Sequence, residues 1–532
     1  MKKIVHRIGI LALALAAGLP SILEAQQVPA GAALELDPYV VGEARPPVDP
    51  GAPFIEMTLQ EAIDRALENN LDIQSARLNP LIQDYSLDVA RAAFTPSISI
   101  SSGYNNRTNQ STSQLDGGQR TVSESLTFNT TFTQPIRWYG GRFSTSFNNS
   151  RSETNNSFST RNPSYNSSIG FSYTQPLLSG RRTDSQRTAL ETQQIQRDVV
   201  DIQLESQVRN LTDQVRVAYW NLKAQVEQIE IQRRSLAQAE QLLENNRIRV
   251  ELGTLAEIEV FQAEAQVANA LQSLLNAEIT WRNQELAFKR LLVAGTQDPL
   301  LAQTIVPTEL PSFEAREVDI AFAIERALRE RTDIQQQRQQ RAISQLNLAV
   351  TRESRLPDLS LSAGYSLQGV GGNLFARSGL GGEPELVEEG GYSDVFQSFA
   401  DFDAPSWNVG LNFSYPLGTN AGSANYERAQ LQLRQSDIAL QSQELVITTE
   451  VTNAGLAVGN TFLQLEAARR SREAAERSLE AELTRFNVGV STNFQVVTTQ
   501  NSLTSARQAE LRAIVNYVNA VEEFERVQRV GR

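Results

Sequence analysis

The chain has 532 residues, 20% of them charged and 40% hydrophobic, with a formal net charge of −13, no cysteine and one histidine. This is globular rather than disordered composition, and its acidic balance speaks against nucleic acid and anionic membrane surfaces as partners. With no thiol, no disulfide framework and only His6, any chemistry falls to carboxylates and hydroxyls, so the chain reads as no enzyme and calls for no cofactor or metal.

Residues 1–25 read as an export signal: Lys2, Lys3 and Arg7 precede the apolar run from Ile8 to Leu19, and Leu23-Glu24-Ala25 offers a cleavage site. Removing it deletes three positive charges and Glu24, taking the net charge from −13 to −15. No lipid-accepting cysteine follows the signal. Residues 26–56, with PPVDPGAP at 46–53, read as a Pro/Gly-rich extended leader. Beyond the signal no stretch approaches the ~20 apolar residues of a transmembrane helix, so any membrane crossing must be made by strands.

The rest of the chain is written twice. AIDRALENNLDIQ at 62–74 aligns with AIERALRERTDIQ at 323–335, and the same offset carries Pro96 to Pro357 and Tyr104 to Tyr365. IGFSYTQPL at 169–177 aligns with VGLNFSYPL at 409–417, which leaves 21 extra residues between the two strands of the first half. The repeats are assigned to 57–310 and 311–532, with a Pro-containing linker near 294–319. Each half is expected to run helix, strand, loop, strand, very long helix, turn, long helix. The helices are predicted over 58–93, 184–250 and 254–293, then 320–354, 424–486 and 490–527.

In the long helix, Leu204, Val208, Leu211, Val215, Ala218 and Leu222 recur at spacings of four and three, a coiled-coil seam. A helix over 184–250 would extend roughly 100 Å, several times the diameter of an ordinary domain.

Strands are predicted near 97–105, 167–175, 358–367 and 407–415. In LPDLSLSAGYS at 356–366, Leu359, Leu361, Ala363 and Tyr365 alternate with small polar residues. Trp407, Val409, Leu411 and Phe413 do the same in the later strand. Alternation alone fits a soluble sheet. Runs of about 9 to 11 residues, aromatics near the strand ends and a small hydrophilic opposite face favour a membrane barrel. Four strands cannot close one, since the smallest have ~8, and an open edge in lipid is forbidden; several protomers must therefore share the barrel. VSESLTFNTTFTQPIRWYGGRFSTSF at 122–147 reads as a further hairpin that either adds two strands or extends a loop. GVGGNLF at 369–375 reads as a flexible external loop rather than a phosphate cradle, because no helix follows it, and the acidic run 383–394 as a solvated loop.

These residues resemble the TolC-type outer-membrane efflux factors over about residues 56–530. The resemblance rests on the duplication, TLQEAIDRALENN at 58–70, the TPSISISSGY and QPLLSGRR strand boundaries, and the paired turns in VELGTLAEIEVFQAEAQ and FNVGVSTNFQVVTTQNS. It implies a mainly α fold with membrane β: coiled-coil helical hairpins forming a periplasmic tunnel, continuous with a twelve-stranded barrel shared by a homotrimer in the outer membrane. It further implies an exit duct for an inner-membrane RND, ABC or MFS pump, reached through a periplasmic adaptor, in drug efflux or type I secretion.

The adaptor would dock on the tip turns, which map to Gly253, Thr254, Leu255, Gly489, Val490 and Ser491. The tunnel constriction maps to Glu259, Phe486, Gln495 and Thr498, where the family's tyrosine, arginine and acidic pattern is not matched. Arg249 and Arg485 nearby read as solvated helix-face charges. The sequence has no GxxxxGK[ST] loop, so energy must come from a partner. Competing readings are an exported coiled-coil or adhesin-like protein without a channel, which would not need duplicated strand pairs, and a carboxylate-pair enzyme, for which no concave site is signalled.

Overall fold

The computed structural model describes residues 42–47, 53–111, 118–309, 314–379, 382–418 and 420–528. All of them fall in one unit, Gly42–Arg532. The predicted signal and most of the predicted leader lie outside the described residues.

The first half runs β1 (Phe54–Met57), α1 (Leu59–Asn69), α2 (Leu71–Ala76), α3 (Leu78–Ala92), β2 (Ser97–Gln110), β3 (Arg120–Pro135), β4 (Arg142–Thr154), β5 (Ser164–Pro176), α4 (Ser185–Glu251) and α5 (Ile258–Leu292). It is followed by β6 (Thr304–Pro307), α6 (Ile320–Glu330), α7 (Thr332–Glu353), β7 (Asp358–Gly371), β8 (Leu374–Ala376), β9 (Glu385–Glu388), α8 (Ser393–Ala400), β10 (Pro405–Ser414), α9 (Ala421–Asn487) and α10 (Asn493–Gln528).

The single helix expected over 58–93 is three helices. Thr58 starts α1 with a reciprocal capping box: its hydroxyl accepts from the Glu61 N–H at 3.2 Å while its own N–H donates to the Glu61 carboxylate at 2.9 Å. At Asn70 the backbone turns extended (ψ 124°), and its side-chain oxygen accepts from the Asp72 and Ile73 N–H groups, starting α2. The same break recurs one repeat later at Arg331 (ψ 138°), dividing the expected helix 320–354. There the guanidinium donates to Asp333 and to Glu450 of α9 at 2.7 Å. The duplication copied the bend, and each copy stabilises it with a different side chain.

Strands β1 and β6 pair in parallel, Phe54 to Thr304 through Met57 to Pro307, so the last residues assigned to the leader and the middle of the predicted linker form a small sheet. Four residues are too few to show alternation in sequence. Around this sheet Tyr219 and Leu222 of α4, Phe288 and Leu292 of α5, and Ile305 of β6 are fully buried. The Tyr219 hydroxyl donates to the Met57 carbonyl at 3.1 Å and accepts from the Glu309 N–H at 3.0 Å. One turn on, the Lys223 ammonium donates to the Gly42 carbonyl at 2.6 Å, tying the described end of the leader to α4. Burial pushes Lys223 below the ordinary lysine range against the pull of Glu227.

Helices α4 and α9 have 67 residues each, which is roughly 100 Å. On the predicted α4 seam Leu211, Val215 and Leu222 are buried and Leu204, Val208 and Ala218 half-buried. α4 packs first on α3 and then on α5, and α9 on α7 and then on α10. Among the described residues no helix is long and apolar enough to cross a membrane.

The large sheet settles the open hairpin. Its order is β10-β7-β5-β4-β3-β2, every neighbouring pair antiparallel. Residues 122–147 belong to β3 and β4 in the body of this sheet, so the chain supplies six strands and not the four that the resemblance implies. One face carries Ile98, Ile100, Tyr104, Phe128, Phe132, Phe147, Ile169, Phe171, Leu361, Tyr365, Val409 and Leu411. The other carries Ser, Thr, Asn and Gly, as the pairing Thr131–Ser146 and Ser366–Gly170 exemplifies. GVGGNLF is likewise not a loop: Gly369 and Gly371 end β7.

Substituting Tyr219 with Phe deprives the Glu309 N–H of its acceptor and is expected to cost roughly 1–2 kcal/mol. A lowered thermal unfolding midpoint would register it, with Tyr104→Phe, exposed on the sheet, leaving the midpoint unchanged.

Candidate functional site

The helices reverse at two turns that are built alike. Both end in a glycine with a left-handed backbone, Gly253 at φ 71° and Gly489 at φ 81°. The Thr254 N–H returns to the Arg249 carbonyl at 2.9 Å, and the Val490 N–H to the Arg485 carbonyl at 3.0 Å. These are Schellman closures, which need the left-handed residue and are cheapest with glycine. Neither glycine has any atom within 4 Å of where a Cβ would sit, so conformation and not crowding selects the residue.

The two turns are laced into one tip. The Arg249 guanidinium stacks on the Phe486 ring with its carbon 4.4 Å from the centroid, and donates to the Phe486 carbonyl at 3.4 Å. Asn246 of α4 and Asn493 of α10 are buried, and the Asn246 amide donates to the Asn493 side-chain oxygen at 3.1 Å. Glu482 is buried too, accepting from the Ser491 hydroxyl and from Arg485 at 3.1 Å. Arg249 and Arg485 are therefore not free helix-face charges: each is engaged by the opposite turn or by a buried carboxylate.

Around this polar lacing the tip presents apolar side chains to water. Leu252, Val488, Val490 and Phe494 are each 65–72% exposed, and Ile258 and Phe261 more than half. Of the six predicted docking residues, Gly253, Thr254, Gly489 and Val490 are exposed, while Leu255 and Ser491 are half-buried. Ser491 is turned inward by its bond to Glu482.

The predicted constriction set divides. Gln495 and Thr498 are exposed, one turn apart on α10. Phe486 departs from the expectation: it is 4% exposed and packed against Leu242 and Val496, so its ring lies in the core of the tip. Glu259 is half-buried, and one of its carboxylate oxygens is shut away from water without a hydrogen-bond partner among the described residues.

Sequence reasoning missed Asn246, Glu482 and Asn493, and the apolar cluster of Leu252, Val488 and Phe494. The asparagines carried a signal: Asn246 follows Ala239 and Leu242, and Asn493 precedes Val496 and Gln500, at spacings of three and four. Each is a polar residue in a seam position.

The family model for outer membrane efflux proteins matches residues 62–146, 142–293 and 323–527. The chain is 25% identical over 356 residues to the pyoverdine export outer membrane protein OpmQ of Pseudomonas aeruginosa, a stretch covering 66% of each chain. It is 22% identical over 471 residues to the outer membrane efflux protein BepC of Brucella suis, covering 87% of this chain and 83% of the relative. The fold is shared with the CmeC outer membrane channel of Campylobacter jejuni, with a TM-score of 0.63 at 16% identity, covering 88% of this chain and 85% of that one.

Replacing either Asn246 or Asn493 by Leu strands the other amide in the core and should cost roughly 1–3 kcal/mol. The double substitution should recover most of that loss. A cycle of thermal midpoints giving simple additivity would show that the two amides are not a pair.

Proposed function

The chain belongs to the outer membrane efflux protein family, and from that premise we infer that it is an outer-membrane exit duct, passively conducting substrates handed on by an inner-membrane pump. Three copies would share one barrel, and their helices would enclose a periplasmic tunnel. The observation that carries this reading is the joining of an alternating sheet with one apolar exposed face to helices of roughly 100 Å. Such a molecule bridges a membrane and a compartment beside it.

The tip is the docking surface for a periplasmic adaptor. Its support is the group of exposed apolar side chains at Leu252, Val488, Val490 and Phe494, held in place by the Schellman turns and the asparagine pair beneath them. Exposed apolar residues on a rigid, polar-laced scaffold suit a partner that buries them. The constriction falls to Gln495 and Thr498 on the open face of α10, with Glu259 offering one carboxylate oxygen at most. Since the sequence lacks a nucleotide-binding loop, the driving force resides in the pump, of RND, ABC or MFS type. The same pump sets the cargo, whether drugs, a small molecule such as the pyoverdine that the name of OpmQ records for that protein, or a secreted polypeptide.

Outer-membrane fractionation of the full chain tests the location, a soluble periplasmic monomer being the result that refutes it. For the tip, Val490→Asp places a charge on a side chain that is 65% exposed, where folding is indifferent to it. Retention of a cross-linked adaptor should fall by at least ~10-fold, the loss expected at a buried interface position, while the protein still fractionates with the outer membrane.

A further inference from the structure

The sheet of this chain has six strands with two free edges. β2 lies at one end, exposed along its whole length, and β10 at the other, where only one residue is not fully exposed. Six strands are fewer than the ~8 of the smallest membrane barrel, and the outward edges of β2 and β10 cannot face lipid unpaired. The strands alternate in direction across the sheet, so β2 and β10 run opposite ways, and β10 of one copy can continue antiparallel from β2 of the next. Both edge strands turn their apolar side chains to the same face, Ile98 and Ile100 on β2 and Val409 and Leu411 on β10, so alternation continues unbroken across such a seam.

The inserted hairpin is part of the wall. β3 pairs with β2 from Ser97–Thr133 to Gln110–Arg120, and β4 with β5 from Arg142–Thr174 to Ser152–Ser164, both without a register shift. Phe128, Phe132 and Phe147 fall on the apolar face, while Asn129, Thr131 and Asn148 fall on the polar one. The hairpin is also clasped from outside. Asn149 of β4, buried, donates to the Phe128 carbonyl at 3.1 Å and accepts from the hydroxyl of Tyr392, the residue before α8. The Tyr392 ring packs edge-on against Tyr165 of β5, 5.8 Å between centroids. Val395 of α8 rests on Gly369 and Gly371 of β7, where a Cβ at Gly369 would come within 2.5 Å of the Val395 carbonyl. One short element thus holds β4, β5 and β7 in a single surface.

We propose that the outer-membrane barrel of this protein has eighteen strands, six from each of three copies, joined at three β2–β10 seams. The copy number rests on the duct reading above; the six-strand contribution rests on the sheet itself. With strands about 4.8 Å apart and tilted about 40°, eighteen give a wall roughly 35 Å across from backbone to backbone, against roughly 24 Å for twelve. Each copy's arc of six strands is then roughly 37 Å, close to the roughly 40 Å spanned by four packed helix columns at the usual ~10 Å spacing. The wall keeps its girth from tunnel to membrane, and a barrel of this size leaves an open aqueous bore. Selection of what passes therefore falls to the periplasmic tip and the external loops, not to the barrel.

Single-particle imaging of the full-length protein, extracted from outer membranes in detergent and viewed down its axis, tests this directly. Three-fold particles with a barrel wall roughly 35 Å across are expected. Three-fold particles with a wall of roughly 24 Å overturn the eighteen-strand barrel and leave the duct reading standing, whereas particles without any membrane ring overturn both. An independent readout uses the absence of cysteine in the natural chain. A nitroxide on Phe147→Cys should be relaxed by lipid-soluble oxygen, and one on Asn148→Cys by a water-soluble nickel chelate. Nickel relaxing both labels equally would place the hairpin outside the wall and overturn the proposal.

Discussion

Inside a bilayer every backbone N–H and C=O must be paired within protein, because nothing else there can accept or donate. The six-stranded sheet answers to that constraint. It excludes an open sheet, so the free edges of β2 and β10 demand neighbours. It selects strands whose faces differ, apolar outside and small and hydrophilic inside. It also explains how a chain with a net charge of −13 and, among the described residues, no apolar helix of spanning length can belong to a membrane-protein family: the apolar surface is one face of the strands, spread over the sequence at every second residue.

The second requirement is that a sheet in the membrane be joined firmly to helices outside it. At the junction after β5 the Asp184 side chain accepts from the Arg187 N–H at 2.8 Å, capping α4, while the Arg187 guanidinium donates to the carbonyls of Gly180, Arg181 and Arg182. One arginine thus gathers the turn that leads out of the sheet and fixes the direction in which a 67-residue helix departs. Farther from the membrane the bends at Asn70 and Arg331 and the small β1–β6 sheet brace the long helices, with Tyr219 buried where they meet. At the far end the lacing of Asn246 with Asn493 and of Arg249 with Phe486 makes two turns one object.

What could be read from the sequence divides along the same physical lines. The long helices and four of the six large-sheet strands were legible because their periods, 3.5 and 2, persist over many residues. The break at Asn70 was not, since an extended residue between two helical runs leaves the apolar period almost undisturbed. Strands β1 and β6 have four residues each, too few for a period, and their pairing is 250 residues apart in the chain. The hairpin at 122–147 showed alternation, but whether alternating strands join a sheet or project from it depends on partners that only the register reveals. At the tip, the glycines announced the turns. Phe486 was misplaced because a position in a resemblance carries no information about which way a ring points once its neighbours have changed. Here Arg249 stacks over it and Leu242 and Val496 enclose it.

The two halves also show how a duplication diverges without losing its frame. Between its two original strands each half has a gap to fill, 21 residues longer in the first than in the second. The first half fills it with two more strands, which lengthen the wall. The second fills it with the β8–β9 pair, which meets the β4–β5 loop at Thr160 and Arg161, and with α8, which folds back over β7 of the sheet. These solutions are not independent, because Tyr392 beside α8 donates to Asn149 on the added strand β4. Gly369 and Gly371 on β7 provide the close approach that lets α8 lie flat. A wider wall curves more gently and has more strands that could slip, and the element that holds them comes from the half that did not add any. The added hairpin and its clasp are therefore best understood as one structural change spread across two distant parts of the chain.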